Sequence, residues 1–332
     1  MGTQRLEYID TMKGILIFFV VALHLPWVAT MLCNYDCSLF EWSKHNTQFI
    51  GSYYMAAFFF VTGYCTNFAK ELKIFVLQNI KTLLVPAVVF SFFDMIRGGY
   101  FSVVGLFFNG GAFWFLPALF WTKLIFYLLK RRMEGVTLAV AVVVLCAVGF
   151  LTKDFGIKNF WAIEHGLAFL PAIALGEWIK NKKVGKFEYA GILTFVIGYM
   201  ACLLLNVNIP VLARTFKPVL SQMPLFLLFS CSGSLMILCL SKKITLLSNA
   251  VTKHLKFWGK NSLLIYLVSN MIMEYLLKAI NLIIPDIYIT NCGNVAFNSS
   301  MYLVVVLLTM LLFYPIVKLF DSKYLKWTLG KF

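Results

Sequence analysis

Charge is scarce in this sequence: Asp, Glu, Lys and Arg together make up 13% of its 332 residues, against about 25% in an ordinary soluble domain. That shortage excludes a water-soluble globule. Acidic residues are the rarer kind, 14 against 29 Lys and Arg, giving a formal charge of +15. On one soluble face such an excess would point to nucleic acid. Here it lies between apolar runs, so no nucleic-acid partner is expected. Zinc-ligand spacing, a nucleophile elbow, a glycine-rich phosphate loop and internal repeats are all missing. Cys33 and Cys37 stand close together but have no further ligand nearby, so no metal is expected. The longest charged connection, 241–260, is too short for a soluble domain. Whatever chemistry the chain performs must take place in or at a membrane.

What fills the sequence is apolar: 61% of residues are hydrophobic and Phe alone accounts for 33. Runs of about 20 apolar residues recur, the length a helix needs to cross roughly 30 Å of hydrocarbon. The spacing predicts an all-α, polytopic membrane helical bundle of about ten transmembrane helices. They fall near 13–32, 50–69, 81–97, 112–129, 136–152, 161–180, 188–206, 221–240, 261–283 and 301–320. The segment 98–111 reads as re-entrant or interfacial. Alternate connections collect 21 of the 29 basic residues on one side, including Lys70, Lys130, Lys182, Lys256 and Lys323; seven, among them Lys44, Lys158, Arg214 and Lys217, fall on the other. The positive-inside rule then puts both termini in the cytoplasm, and an even number of spans agrees with it. The first apolar run, Ile15 to Leu32, exceeds a signal-peptide core of 7–15 residues and has no small-x-small cleavage site, so it reads as a retained helix. Residues 1–332 are taken as one integral membrane domain. Cys33, Cys37 and Cys292 fall in outward loops, where a disulfide is open to them.

A titratable residue within a span is costly and marks a candidate site. The first helix carries Asp10, Lys13 and His24. At about 100° per residue, His24 lies roughly 20° and Asp10 roughly 60° from Lys13, so the three share one stripe. His24 is about 16 Å deeper than Lys13 at a rise of about 1.5 Å per residue, and the stripe runs from the cytoplasmic edge inward. Pro26 cannot donate its backbone bond and should kink the helix, freeing the Ala22 carbonyl near His24. A bland reading stays open, with Lys13 snorkelling and His24 a packing histidine. Asp94 with Arg97, and Glu274 with Lys278, are spaced to neutralise each other; Lys123 and Glu177 sit in or at span ends. Glu164 and His165 face outward and, as neighbours on a helix, point about 100° apart, so no dyad is expected of them. Asn298-Ser299-Ser300 has the form of a glycosylation acceptor.

The segment Ile9-Asp10-Thr11-Met12-Lys13-Gly14-Ile15, followed by His24, resembles the opening of the acyltransferase 3 family of integral membrane acyltransferases, in which a basic residue and a histidine are separated by ten residues. Lys13 stands where Arg is more frequent. The likeness continues in order through Phe58-Phe59-Phe60-Val61-Thr62-Gly63-Tyr64, Lys81-Thr82-Leu83-Leu84-Val85-Pro86, Phe113-Trp114-Phe115-Leu116-Pro117 and Gly259-Lys260-Asn261-Ser262-Leu263-Leu264-Ile265-Tyr266. The chain is most similar to the short subgroup related to fucose 4-O-acetylase. It departs from relatives at Thr82, where many have a basic residue, and at Ser269 and Asn270, near a late histidine of the family.

The resemblance implies transfer of an acyl group, commonly acetyl, from acetyl-CoA or another acyl-CoA to a hydroxyl of a carbohydrate or glycolipid acceptor, with membrane lipids as surroundings. It implies His24 as base, Lys13 as a charge partner oriented by Asp10, and Lys13, Lys81 and Trp114 as contacts of the acyl donor. It also implies the cytoplasmic membrane of a bacterium. A histidine with an ordinary pKa near 6.5 suits the removal of a hydroxyl proton. The competing class is a proton-coupled transporter or flippase, since intramembrane Asp, Lys and His also build proton relays.

Overall fold

The computed structural model describes residues 6–33, 48–99, 102, 113–154, 160–180, 182, 185–211, 219–285, 287 and 294–330. Cys37, Cys292, Lys44, Lys158, Arg214, Lys217 and most of 98–111 lie outside the described residues, and with them the disulfide and re-entrant expectations. Of the described residues 83% are helical, and none forms a strand. In chain order the helices are α1 (Glu7–Trp27), α2 (Tyr54–Cys65), α3 (Leu72–Asn79), α4 (Val85–Arg97), α5 (Phe115–Lys130), α6 (Gly135–Asp154), α7 (Ile163–Ala168), α8 (Leu170–Ile179), α9 (Gly185–Leu204), α10 (Met223–Leu246), α11 (Ala250–Lys260), α12 (Ser262–Ile283) and α13 (Val295–Phe320). Single π-helical turns follow α1 at Val28–Leu32 and join α3 to α4 at Ile80–Leu84.

Among the described residues seven helices are long and apolar enough to cross a membrane: Glu7–Thr30, Leu72–Arg97, Gly135–Thr152, Phe187–Leu204, Leu220–Leu246, Ser262–Ile283 and Ala296–Phe320. The three remaining expected spans are also helical but shorter: α2, α5, and the broken pair α7 and α8. The count of about ten is therefore approximate, and the shortfall has a physical reason. Nine of the twelve residues of α2 are buried, and a helix wrapped in protein is not held to the thickness of the lipid. The segment 81–97, read as a span of its own, is the C-terminal part of a helix that begins at Leu72.

Two compact units divide the chain. One comprises Met1–Ile50 with Leu240–Ser322, the other Gly51–Cys239 with Lys323–Phe332. In the first, α1 packs against α11, α12 and α13. Helix α11 is the main surprise, because the sequence reads 241–260 as a charged connection. Its start is capped by Asn249, whose Oδ1 accepts from the Thr252 amide at 3.0 Å. Leu255, Trp258 and Gly259 are buried on its inner face, and at its far end the Asn261 side chain donates to the Phe257 carbonyl at 2.9 Å. A Cβ on Gly259 would overlap the Asp10 carbonyl, and one on Gly14 would overlap the Leu255 carbonyl. The two helices therefore cross backbone to backbone. His254 Nδ1 meets the Tyr314 hydroxyl and Phe257 stacks on the Tyr314 ring at 4.1 Å, joining α11 to α13 as well.

The second unit uses the same device. A Cβ on Gly63 of α2 would strike the Ile173 carbonyl of α8, and one on Gly176 of α8 would strike the Phe60 carbonyl of α2. Phe59 stacks on Phe169 at 4.4 Å in the same seam. Phe68, Phe75, Phe126, Tyr127, Val142, Leu170 and Ile173 form a core beside it.

The crossing of α1 and α11 predicts that Gly259→Ala is destabilising although alanine is the better helix former by about 1 kcal/mol. Overpacking should cost about 1–3 kcal/mol. Gly185, which faces open space, serves as the control. Thermal unfolding in detergent should show a lowered midpoint for Gly259→Ala and none for Gly185→Ala.

Candidate functional site

The α1 stripe survives in the structure because the helix runs unbroken through Asp10, Lys13 and His24. Asp10 is 4% exposed, beneath the α11 crossing, while Lys13 and His24 are half-buried. Among the described residues no carboxylate pairs with the Lys13 ammonium. Glu7, in the first turn of α1, pairs with Lys256 of α11, and Lys242 lies over the Tyr8 ring at 5.3 Å. Thr11 and Thr245 meet through their hydroxyls at 2.8 Å. These contacts fix the first turns of α1 against α10 and α11.

At the deep end, His24 Nδ1 stands 2.7 Å from the Val20 carbonyl. A carbonyl only accepts, so Nδ1 carries the proton and donates it. In the neutral ring this leaves the lone pair on Nε2, and among the described residues the ring makes no other hydrogen bond. The Ala22 carbonyl, expected to be freed by Pro26, accepts from the Tyr302 hydroxyl of α13 at 2.8 Å. Tyr302 thus takes the place of the missing Pro26 amide. Beyond the proline the backbone widens into the π turn Val28–Leu32, a geometry frequent at functional sites. The nearby Cys33 thiol is pushed up to about 11 by burial, so it stays protonated at neutral pH.

The other expected donor contacts, Lys81 and Trp114, belong to the second unit. Lys81 is exposed on the π turn Ile80–Leu84, beside Pro86, and Gly330 (φ +70°) packs on its carbonyl. Ser269, where relatives approach a late histidine, is buried on α12. Trp114, one residue before α5, is buried with its ring 4.5 Å from that of His165.

Two expectations are corrected. Glu164 and His165, read as diverging neighbours, form a pair: Glu164 Oε1 lies 3.0 Å from His165 Nδ1, with the residues 7% and 3% exposed. The 100° divergence applies to Cβ directions, and the glutamate side chain is long enough to fold back across it. Asn298 is 3% exposed within α13, so the glycosylation triplet does not present the surface loop such acceptors need. The two charge pairs stand as read, Arg97 with Asp94 at 2.9 Å and Lys278 with Glu274 at 2.6 Å. Glu177 pairs with Lys130, and Lys123 lies over the Phe75 ring. Among the described residues no three of His, Cys, Asp and Glu gather as a metal site.

A family model described as an acyltransferase domain, that of acyltransferase 3, matches residues 6–318. No curated protein and no solved structure matches the chain.

The Tyr302 bond generates a prediction independent of any activity. Tyr302→Phe leaves the Ala22 carbonyl without its partner, and a buried orphan of this kind costs about 1–3 kcal/mol. Its unfolding midpoint should fall in the wild-type background. With Pro26→Ala, which restores the backbone donor, the same substitution should cost less.

Proposed function

Because the chain belongs to the acyltransferase 3 family of integral membrane acyltransferases, we propose that the α1 stripe is its catalytic centre, moving an acyl group from acyl-CoA to a hydroxyl of a carbohydrate or glycolipid acceptor. The observation that carries this reading is the His24 contact: the Val20 carbonyl accepts from Nδ1, so that in the neutral ring Nε2 is the nitrogen with the lone pair. A hydroxyl is a weak nucleophile at neutral pH and needs such a base as it attacks. In the proposed step Nε2 takes the hydroxyl proton while the oxygen bonds to the thioester carbonyl carbon. The carbon–sulfur bond then breaks, and the imidazolium returns the proton to the departing thiolate.

Lys13 is half-buried one end of the stripe away. Its charge suits an anionic group of CoA or the negative charge developing at the carbonyl. Asp10, fixed by the α11 crossing, sets the position of the turn that carries Lys13. Exposed Lys81 is the second proposed contact for the anionic donor. Acetyl is the proposed acyl group and the cytoplasmic membrane the proposed location, with both termini on the cytoplasmic side.

His24→Ala, checked for insertion and folding, should lower kcat by about 10²–10⁴ with little change in the KM for acyl-CoA. Lys13→Ala should raise the KM for acyl-CoA, and Lys13→Arg should recover most of it. Steady-state transfer from acetyl-CoA labelled in its acetyl group provides both readouts. Wild-type kcat in His24→Ala would remove the base assignment.

A further inference from the structure

Lys123 is a cation within an expected membrane span, and the α1 chemistry has no use for it. It lies on α5, seven residues before Lys130, which puts it about 10 Å from that end of the helix. It is half-buried rather than sealed. A charge at such a depth is costly and persists where it meets a partner or a function. Among the described residues no carboxylate and no hydrogen-bond acceptor reaches its ammonium, and Glu177 of α8 pairs with Lys130. The Phe75 ring, 5.7 Å away, offers its face to the charge but no acceptor to the three N–H donors. The titratable groups whose charges act on Lys123 are Lys70, of like sign, and the Cys65 thiol.

The fold holds the two like charges together. Positions 123, 127, 130 and 131 share one face of α5, and that face carries the segment on which Lys70 sits. The Tyr127 hydroxyl donates to the Lys70 carbonyl at 2.7 Å, and the Arg131 guanidinium donates to the same carbonyl at 2.7 Å. Lys180, at the end of α8, pins the start of the segment by donating to the Thr66 carbonyl at 3.2 Å. Arg131 lies over the Tyr127 ring at 5.0 Å, and Tyr127 stacks on Phe75 of α3 at 4.5 Å. The two rings therefore form a column with a cation at each end. The Lys70 ammonium donates to Gln78 of α3 at 2.7 Å and keeps two further donors. Glu71, the next residue, is exposed and pairs with none of these cations among the described residues. Helix α5 runs out into Lys130-Arg131-Arg132, so by the positive-inside rule this end faces the cytoplasm.

We infer that Lys70 and Lys123 form a binding site for a phosphate group, reached from the cytoplasmic side between α3 and α5. A phosphate supplies both things the cluster lacks, negative charge beside two cations and acceptor oxygens for their unused donors. Two sources share that chemistry. Basic clefts between membrane helices on the cytoplasmic side take the headgroups of anionic lipids, and a soluble phosphate has the same route from the cytoplasm. Every residue of the site belongs to the second unit, and the site stands whether or not the α1 stripe is catalytic.

The test uses the full chain in nanodiscs, with two arms. In one, phosphatidylglycerol replaces part of the phosphatidylcholine and native mass spectrometry counts the lipid retained. In the other, inorganic pyrophosphate is titrated into nanodiscs of phosphatidylcholine alone and binding is followed by calorimetry. Saturable binding is expected in at least one arm, weakened at least tenfold in Lys123→Gln and in Lys70→Gln and kept in Lys123→Arg. Lys73→Gln, which removes an equal charge from an exposed position of α3, should bind as the wild type does. Unfolding midpoints separate binding from folding. In neutral nanodiscs without pyrophosphate, Lys123→Gln should unfold no lower than the wild type, because it sheds a charge that has no partner there. The bound anion should raise the midpoint of the wild type and leave that of Lys123→Gln unmoved. Binding confined to the first arm identifies a lipid headgroup, and binding confined to the second a soluble phosphate. No binding in either arm, an equal loss in Lys73→Gln, or a lowered Lys123→Gln midpoint in neutral nanodiscs would each overturn the site.

Discussion

The backbone crossing of α1 and α11 is the contact on which the proposed chemistry depends. Glycine at 14 and at 259 lets two helices approach until each carbonyl occupies the space where the other's Cβ would stand. Close approach of this kind maximises dispersion contacts where lipid removes the usual hydrophobic drive for helix association. It also has a consequence for the site, because the Gly259 contact falls on Asp10 and the Gly14 contact one residue beyond Lys13. The turn that carries Asp10 and Lys13 is therefore held by backbone contact. Glu7, one turn before Asp10, pairs with Lys256 on α11 and ties the start of α1 to the same helix.

Much of the first unit was legible because helical phase and proline chemistry are local. The stripe through Asp10, Lys13 and His24 follows from 3.6 residues per turn, and the freed Ala22 carbonyl follows from Pro26. Tyr302 was not legible, since nothing in the order of residues says which distant hydroxyl will meet that carbonyl. Helix α11 was legible in part. Its Asn249 cap and the buried Leu255, Trp258 and Gly259 at helical spacing were visible, but five lysines between 242 and 260 made the segment read as a solvated connection. The glycines gave the signal that went unread. Gly14 and Gly259 each lie in a fragment shared with the family, and the structure explains both by one crossing.

In the second unit the failures have a different cause. Span length was judged against lipid, yet α2 is enclosed by protein and needs only 12 residues. The Glu164–His165 pair escaped because helical phase describes where Cβ atoms point, and a long side chain over a short helix can return to its neighbour. The left-handed φ values at Trp161 and Ala162, 49° and 52°, have no sequence signal at all, since neither is glycine.

Base, thiol leaving group and acceptor are joined in one stoichiometric claim: each acyl group moved forms one ester and releases one CoA thiol. The most direct measurement counts both products, using protein in sealed vesicles, acetyl-CoA outside, and mass spectrometry of the acceptor beside a thiol assay. The account predicts ester and free thiol in equal amounts, both appearing only with acceptor and protein present. Movement of the acceptor across the vesicle membrane with neither ester nor thiol formed would contradict it, and would make the α1 stripe a proton relay for transport.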